Sequence, residues 1–275
     1  MKNLLRADLY RIRHSKLTLV MLILCVGFPL LMSLLYWGMD ALALMDMEPA
    51  DEAMMEEMTL FNGKSLIANS FTLSNNLGLV IPIFSGIFIC LDISDGTLRN
   101  KIINGCERRN IYLSHLLSGM IFNVAAILLY TVFNCMFGCL FLGGYGPEIN
   151  GEEVKYLVVM ICVGVLTFAF VATLTTFIAM VMKNLPLTMI LTVAFGMLIS
   201  MTSLLGIGLI DLGKYAVLLN LIPGYLNANM GDVSTILGTP APAAADVLCG
   251  VLSYLVFGAL NTVLGMLIFQ RSDLK

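Results

Sequence analysis

The 275 residues are 59% hydrophobic and only 12% charged, with a formal net charge of −3. Mean hydropathy is +0.93. Soluble domains run nearer half apolar and a quarter charged, so this composition excludes an ordinary water-soluble enzyme or nucleic-acid-binding module and points to a lipid solvent. Inside hydrocarbon every backbone N–H and C=O must be paired within the protein, which leaves helices or closed barrels. Barrel strands would alternate in short segments. The apolar runs here are long and continuous, so the expected fold class is an all-α integral membrane protein.

Residues 1–16 open the chain as MKNLLRADLYRIRHSK. At 100° per residue Leu5, Leu9 and Ile12 form one stripe, with Lys2, Arg6 and Arg13 on the neighbouring arc. That is the pattern of an amphipathic helix in the headgroup layer, basic side chains near anionic lipid. The plainer alternative is basic flanking sequence with no further role.

Six apolar runs then approach or exceed the length needed to cross a bilayer, at about 17–37, 71–91, 115–142, 157–182, 185–210 and 247–269. The first is too long for the core of a cleaved signal peptide and reads as a retained anchor. A further apolar stretch at about 215–226 contains Pro223-Gly224 and is too short to span. It is expected to form a re-entrant or interfacial hairpin.

With the N-terminus inside, twelve of the fifteen basic residues fall on inner segments and only Lys64, Lys155 and Lys214 on outer ones. Cytoplasmic loops carry the excess of Lys and Arg. The expectation is therefore six transmembrane helices, N-in and C-in, with residues 270–275 as a cytoplasmic tail. The outer loop 38–70 carries seven acidic residues against Lys64. No converging spacing for a hard cation is present, so this reads as a solvated acidic face. The seven cysteines lie in or at the ends of spans, or inside at Cys106, and predict neither a disulfide framework nor a metal site.

Between the second and third runs, the loop 92–112 includes DISDGTLRNKIINGCERRNIY. Asp95-Gly96-Thr97 makes a turn with N-cap character, and Gly105 is a stop signal. About two turns of helix fit between them, over Thr97–Asn104. Leu98 and Ile102 share a face with Ile103 beside them, and Arg99 and Lys101 are expected elsewhere. Such a helix is either a docking surface for a partner or a connector folded back on its own bundle.

This layout resembles the membrane subunit (permease) of an ABC-2-type ABC transporter. The resemblance rests on the basic amphipathic helix before the first span, an acidic residue followed by Gly-Thr after the second, the ERRNIYLSHLLSG stretch entering the third, and the hairpin before the last. It covers the whole chain in layout and about 91–120 in motif. It implies an exporter powered by a separate cytoplasmic ABC ATPase subunit, with ATP and Mg on that partner and no cofactor on this chain. It also implies a second permease subunit, either an identical copy or a similar one, and a bacterial plasma membrane. In the family the N-terminal segment and this inner loop touch the ATPase. By resemblance Asp92, Asp95, Gly96, Thr97, Leu98, Arg99, Ile102, Gly105, Arg108 and Arg109 would form or brace that contact.

No catalytic set is evident. The two histidines, His14 and His115, are a hundred residues apart, and Asn62-Gly63-Lys64-Ser65 lacks the earlier glycine of a P-loop. A secondary transporter or channel is the rival reading, but the cores of the six runs contain no Asp, Glu, Lys or Arg. The uncharged runs favour a hydrophobic or amphipathic cargo such as a peptide, antibiotic or lipid.

Overall fold

The computed structural model describes residues 1–45, 63–73, 77–142, 144–145, 151–201, 220–230 and 243–272. These residues form helices and connecting turns, with no strand among them. In chain order the helices are α1 (Lys2–Arg13), α2 (Lys16–Met45), α3 (Gly63–Phe71), α4 (Val80–Ser94), α5 (Thr97–Ile103), α6 (Arg108–Phe141), α7 (Gly151–Met182), α8 (Leu185–Ser200), α9 (Tyr225–Met230) and α10 (Ala244–Arg271). Four of them, α2, α6, α7 and α10, contain stretches long and apolar enough to cross a membrane. The pair α4 and α5, bent by 60° at the Asp95-Gly96 turn, makes a fifth if counted as one span. The architecture fits a multi-pass membrane protein.

Helix α6 is the organiser. It packs against α2 on one side and α7 on another, and it also receives α1, α3 and α4. Helix α10 lies along α7, and α4 is wedged between α7 and α8. Large side chains such as Leu19, Ile23, Leu31, Val132, Ile190, Leu198, Leu248 and Leu255 stay exposed on the outside of the bundle. In water that surface would be costly; against lipid tails it carries no penalty. Exposed Lys2, Arg6, Arg13, Lys16, Arg99 and Arg109 gather with α1, α5 and the start of α6. That end is called the basic end below.

The structure departs from a continuous helix over 71–91. Beside α6, α3 ends at Phe71 and α4 begins at Val80, and the described residues between them, 72–73 and 77–79, are not helical. The intervening stretch Thr72–Leu79 holds Thr, Ser, Asn and Gly, whose side chains compete for backbone partners or add entropy cost in a helix. Pro82 then falls in the first turn of α4, where a missing N–H is harmless. A smoothed hydropathy reading passes over these residues because their neighbours are apolar.

Helix α3 is buried, and side chains from other helices serve its polar groups. All nine residues of α3 are buried. Asn134 of α6 donates from Nδ2 to Leu66 O at 2.9 Å and to Ser70 Oγ at 2.8 Å. Asn227 of α9 donates to the carbonyl of Phe71 at 2.8 Å, where α3 ends.

The segment 220–230 is tied to the bundle at both of its ends. Asn220 donates to Asp246 Oδ1 at 2.9 Å near the start of α10. Tyr156, near the start of α7, donates to Met230 O at 3.0 Å. Between these ends Gly224, at φ +94°, lies against Ile199. Of the hairpin expected at 215–226, positions 215–219 lie outside the described residues, as do 202–210 of the fifth run, 46–62 of the acidic loop and 273–275 of the tail.

Candidate functional site

The sequence of α1 places one acid among apolar residues. Asp8 is three positions after Leu5 and four before Ile12, so it shares their face. That face turns toward α6 and the bundle, and Asp8 (3% exposed) and Ile12 (8%) are buried on it. Leu5 and Leu9 are half-buried, while Lys2, Arg6 and Arg13 point outward. The apolar stripe thus packs on protein, and the outward arc is the basic one.

Helix α5 folds back in the same manner. Gly96 (φ +68°) turns the chain into it and Gly105 (φ +81°) turns it out. Both lie in the left-handed region that a side chain disfavours. The N-cap is Gly96 with no side-chain bond to the helix. Thr97 does not cap the helix; it donates to the Asp92 carbonyl at 2.9 Å and to Asp92 Oδ1 at 2.8 Å. Leu98 is 1% exposed and packs with Ile89, Cys90, Ile111 and Tyr112, with Ile102 partly buried alongside. Of the apolar residues of α5, only Ile103 is exposed, at 71%. Lys101 shares the inward face of Thr97 and Leu98, contrary to its expected placement with Arg99 on the outside.

These two foldings bring four helices to one point. Lys101 Nζ lies 2.6 Å from Asp8 Oδ1 and 3.5 Å from Asp92 Oδ2. It is also 3.4 Å from His115 Nε2, which in turn lies 3.4 Å from Asp92 Oδ2. Arg11 of α1 pairs with Asp92 of α4. Ser114 of α6 donates to Asp8 Oδ2 at 2.6 Å. Two carboxylates therefore meet two cations and a histidine, with Asp92 0% and His115 2% exposed.

Burial opposes ionisation of Asp8, but the neighbouring His115, the Lys101 ammonium and the Ser114 hydroxyl together more than offset it, so its carboxyl sits below the ordinary carboxylate range. Burial also lowers the Arg11 guanidinium from its usual value, against the pull of Asp8 and Asp95. A charge set this deep is stabilising only while each member has its partner; removing one leaves an uncompensated buried charge. Chemically it is a knot that holds α1, α4, α5 and α6 together.

Asp8, Asp92 and His115 also form a group with ligand atoms within 4.8 Å of one another. The residues do not fit a metal. The Lys101 ammonium lies within 3.5 Å of an atom of each of the three, and Arg11 balances the second carboxylate. A divalent ion would add two charges to a site already neutral.

Of the residues expected to meet a partner, Asp92 and Thr97 belong to this knot and Leu98 to the core beneath it. Arg108 is also engaged inside the chain. Its Nη1 donates to Gln270 O at 2.9 Å and Ser272 O at 2.7 Å, capping the end of α10. Asp95, Arg99, Gly105 and Arg109 are exposed on the basic end. The sequence reading did not assign Asp8, Arg11, Lys101, Ser114 or His115 to a site. The available signal was Asp8, a lone acid in the apolar stripe of a basic helix.

No family model matches the chain, and no curated protein does.

Proposed function

We propose that this chain is the membrane-spanning permease subunit of an ATP-driven exporter of the ABC-2 type. The single observation that supports the reading most is the placement of α5. It is a seven-residue helix at the basic end, exposed at Arg99 and Ile103, and its inner face is tied by Lys101 and Thr97 to α1 and to the base of α4. A soluble subunit pressing on that surface would move α1, α4 and α6 as one body. Arg109 lies beside it and extends the basic face.

In this reading six spans cross the plasma membrane of a bacterium, with the basic end and both termini in the cytoplasm. The spans are α2, the broken descent α3–α4, α6, α7, the run begun by α8, and α10. Export is completed with a partner ATPase that carries the nucleotide and Mg, and with a second permease subunit. The cargo is hydrophobic or amphipathic. The segment 220–230 would stand at the outer end of the pathway.

An ATP-independent carrier is favoured by one observation, the buried pair Asp8 and Asp92 beside His115. Proton- or ion-coupled carriers place such groups facing a cavity near the membrane midplane. This cluster lies instead at one end of the bundle and has its charges matched.

Purification of the tagged chain from native membranes in mild detergent, followed by mass spectrometry, tests the reading. The expected result is a stoichiometric soluble protein bearing a phosphate-binding Gly-rich loop, lost on the double substitution Arg99→Glu and Ile103→Glu. Recovery of the chain without any such protein across several detergents and crosslinkers would contradict it.

A further inference from the structure

We infer that this one chain contains a polar passage between α4, α6, α7 and α8, closed here, whose plug at the basic end is the charge knot. Its chemistry suits water and uncharged hydrogen-bonding groups such as amides and hydroxyls. As the route of a cargo it rests on the permease reading; as a passage that hydrates, it does not.

The four helices meet through small residues. A Cβ on Gly86 of α4 would stand 3.0 Å from Thr175 of α7 and 3.3 Å from Thr188 of α8. A Cβ on Gly119 of α6 would stand 3.7 Å from Thr176 Oγ1 and 4.0 Å from Ser85. Small residues alone would mean only close helix packing. The polar atoms add something that packing does not require. Asn123, one turn beyond Gly119, is 0% exposed, and among the described residues neither its amide nitrogen nor its oxygen has a hydrogen-bond partner. Thr175 Oγ1 and Thr192 Oγ1 are also without a partner, at 0% and 2% exposure. Leu and Val would fill the same space without leaving buried polar atoms unpaired. Such atoms are accounted for if the seam parts in another state and they gain partners there.

A second observation marks where the seam ends. A cavity of about 10 Å³, enough for about one water, lies between Ser85, Ser118 and Gly119 of the seam and Arg11 and His115 of the knot, with Ile12, Phe88, Ile89 and Phe122 completing a largely apolar wall. The same two residues belong to the charge cluster that closes the basic end. Beyond that cluster the seam offers hydroxyls and an amide but no formal charge, which sets the class of group it accepts.

Cys90 supplies a native reporter. It lies on α4 at 4% exposure and donates to Thr188 Oγ1 at 3.4 Å. The full-length chain in membrane vesicles is exposed to a small water-soluble methanethiosulfonate, and modification of the Cys90 peptide is followed by mass spectrometry. Wild type is expected to react slowly. Lys101→Met is expected to speed modification at Cys90 about tenfold, corresponding to about 1.4 kcal/mol in the opening equilibrium. Asn123→Leu, which removes the unpaired amide, is expected to raise the melting temperature and slow Cys90 modification. It decides the matter alone if Lys101→Met cannot be isolated. Unchanged Cys90 reactivity in Lys101→Met with α1 released to protease would overturn the passage, as would a lowered melting temperature in Asn123→Leu. Neither readout involves an ATPase, so loss of the passage leaves the permease proposal standing, and absence of an ATPase partner leaves the passage standing.

Discussion

Lys101 Nζ stands 2.6 Å from Asp8 Oδ1, joining residues 93 positions apart. This pair fastens the N-terminal helix to the short helix α5, and both to the bundle. Its removal should therefore be felt in two places at once. Lys101→Met leaves Asp8 and Asp92 buried with only Arg11 opposite them, at an expected cost of about 3–5 kcal/mol. Thermal unfolding in detergent should show the loss, and limited proteolysis should cut near residues 13–16 first. Equal resistance of wild type and variant at that point would mean that α1 is held by Ile12 and its neighbours alone.

The knot also has a defined response to acid. Asp8 is held below the ordinary carboxylate range when folded. Its contribution is therefore fully present above the unfolded value, about pH 4, and is lost only as pH falls through the lower folded value. Hydrogen exchange of the α1 amides should stay slow down to about pH 4 and quicken below it. Release of α1 between about pH 5 and 6 would assign control to a group other than Asp8.

The two glycines around α5 make a conformational prediction. At Gly96 and Gly105 a Cβ would meet nothing within 4 Å, so a side chain there is opposed by backbone angle and not by space. Gly105→Val should cost about 1–3 kcal/mol and tilt or fray α5 while leaving insertion of the long helices intact. In the complex this should separate ATP hydrolysis from export. Normal export by Gly105→Val would argue against a coupling role for α5.

Asn227 tests the broken descent. Asn227→Leu withdraws the donor from the Phe71 carbonyl at the end of α3. A buried acceptor left without a partner costs about 1–3 kcal/mol. A lowered melting temperature with faster exchange in residues 63–73 is expected. No change would indicate that the Phe71 carbonyl is served from another direction.

Much of this architecture was legible in the sequence. Long uncharged runs require helices in lipid, and Gly96 and Gly105 bracket α5 at nearly the expected residues. The departures have local causes. The end of α3 at Phe71 and the start of α4 at Val80 are hidden from hydropathy because Leu73, Leu77 and Leu79 mask Thr72, Asn75, Asn76 and Gly78 in the sequence. Asp92, Thr97 and Leu98 were expected to form or brace a partner contact; the structure sets Asp92 and Thr97 in the charge knot and Leu98 in the core beneath it. The amphipathic pattern sets Lys101 with Arg99, away from Leu98 and Ile102, although it is four residues after Thr97 and shares its face. Its acid partner comes from α1, much earlier in the chain, and no spacing rule reaches across 93 positions. Arg108 is a similar case, since the carbonyls it caps lie at the opposite end of the chain.

The central claim is that α5 receives a soluble ATPase, and photo-crosslinking from position 103 tests it most directly. Ile103 is the exposed apolar residue of α5. A photoreactive amino acid placed there, in cells grown from the native source, is predicted to capture one soluble protein with a phosphate-binding loop and to do so less when Lys101→Met is introduced. Crosslinks only to lipid or to this chain itself, from a correctly inserted protein, would contradict the account.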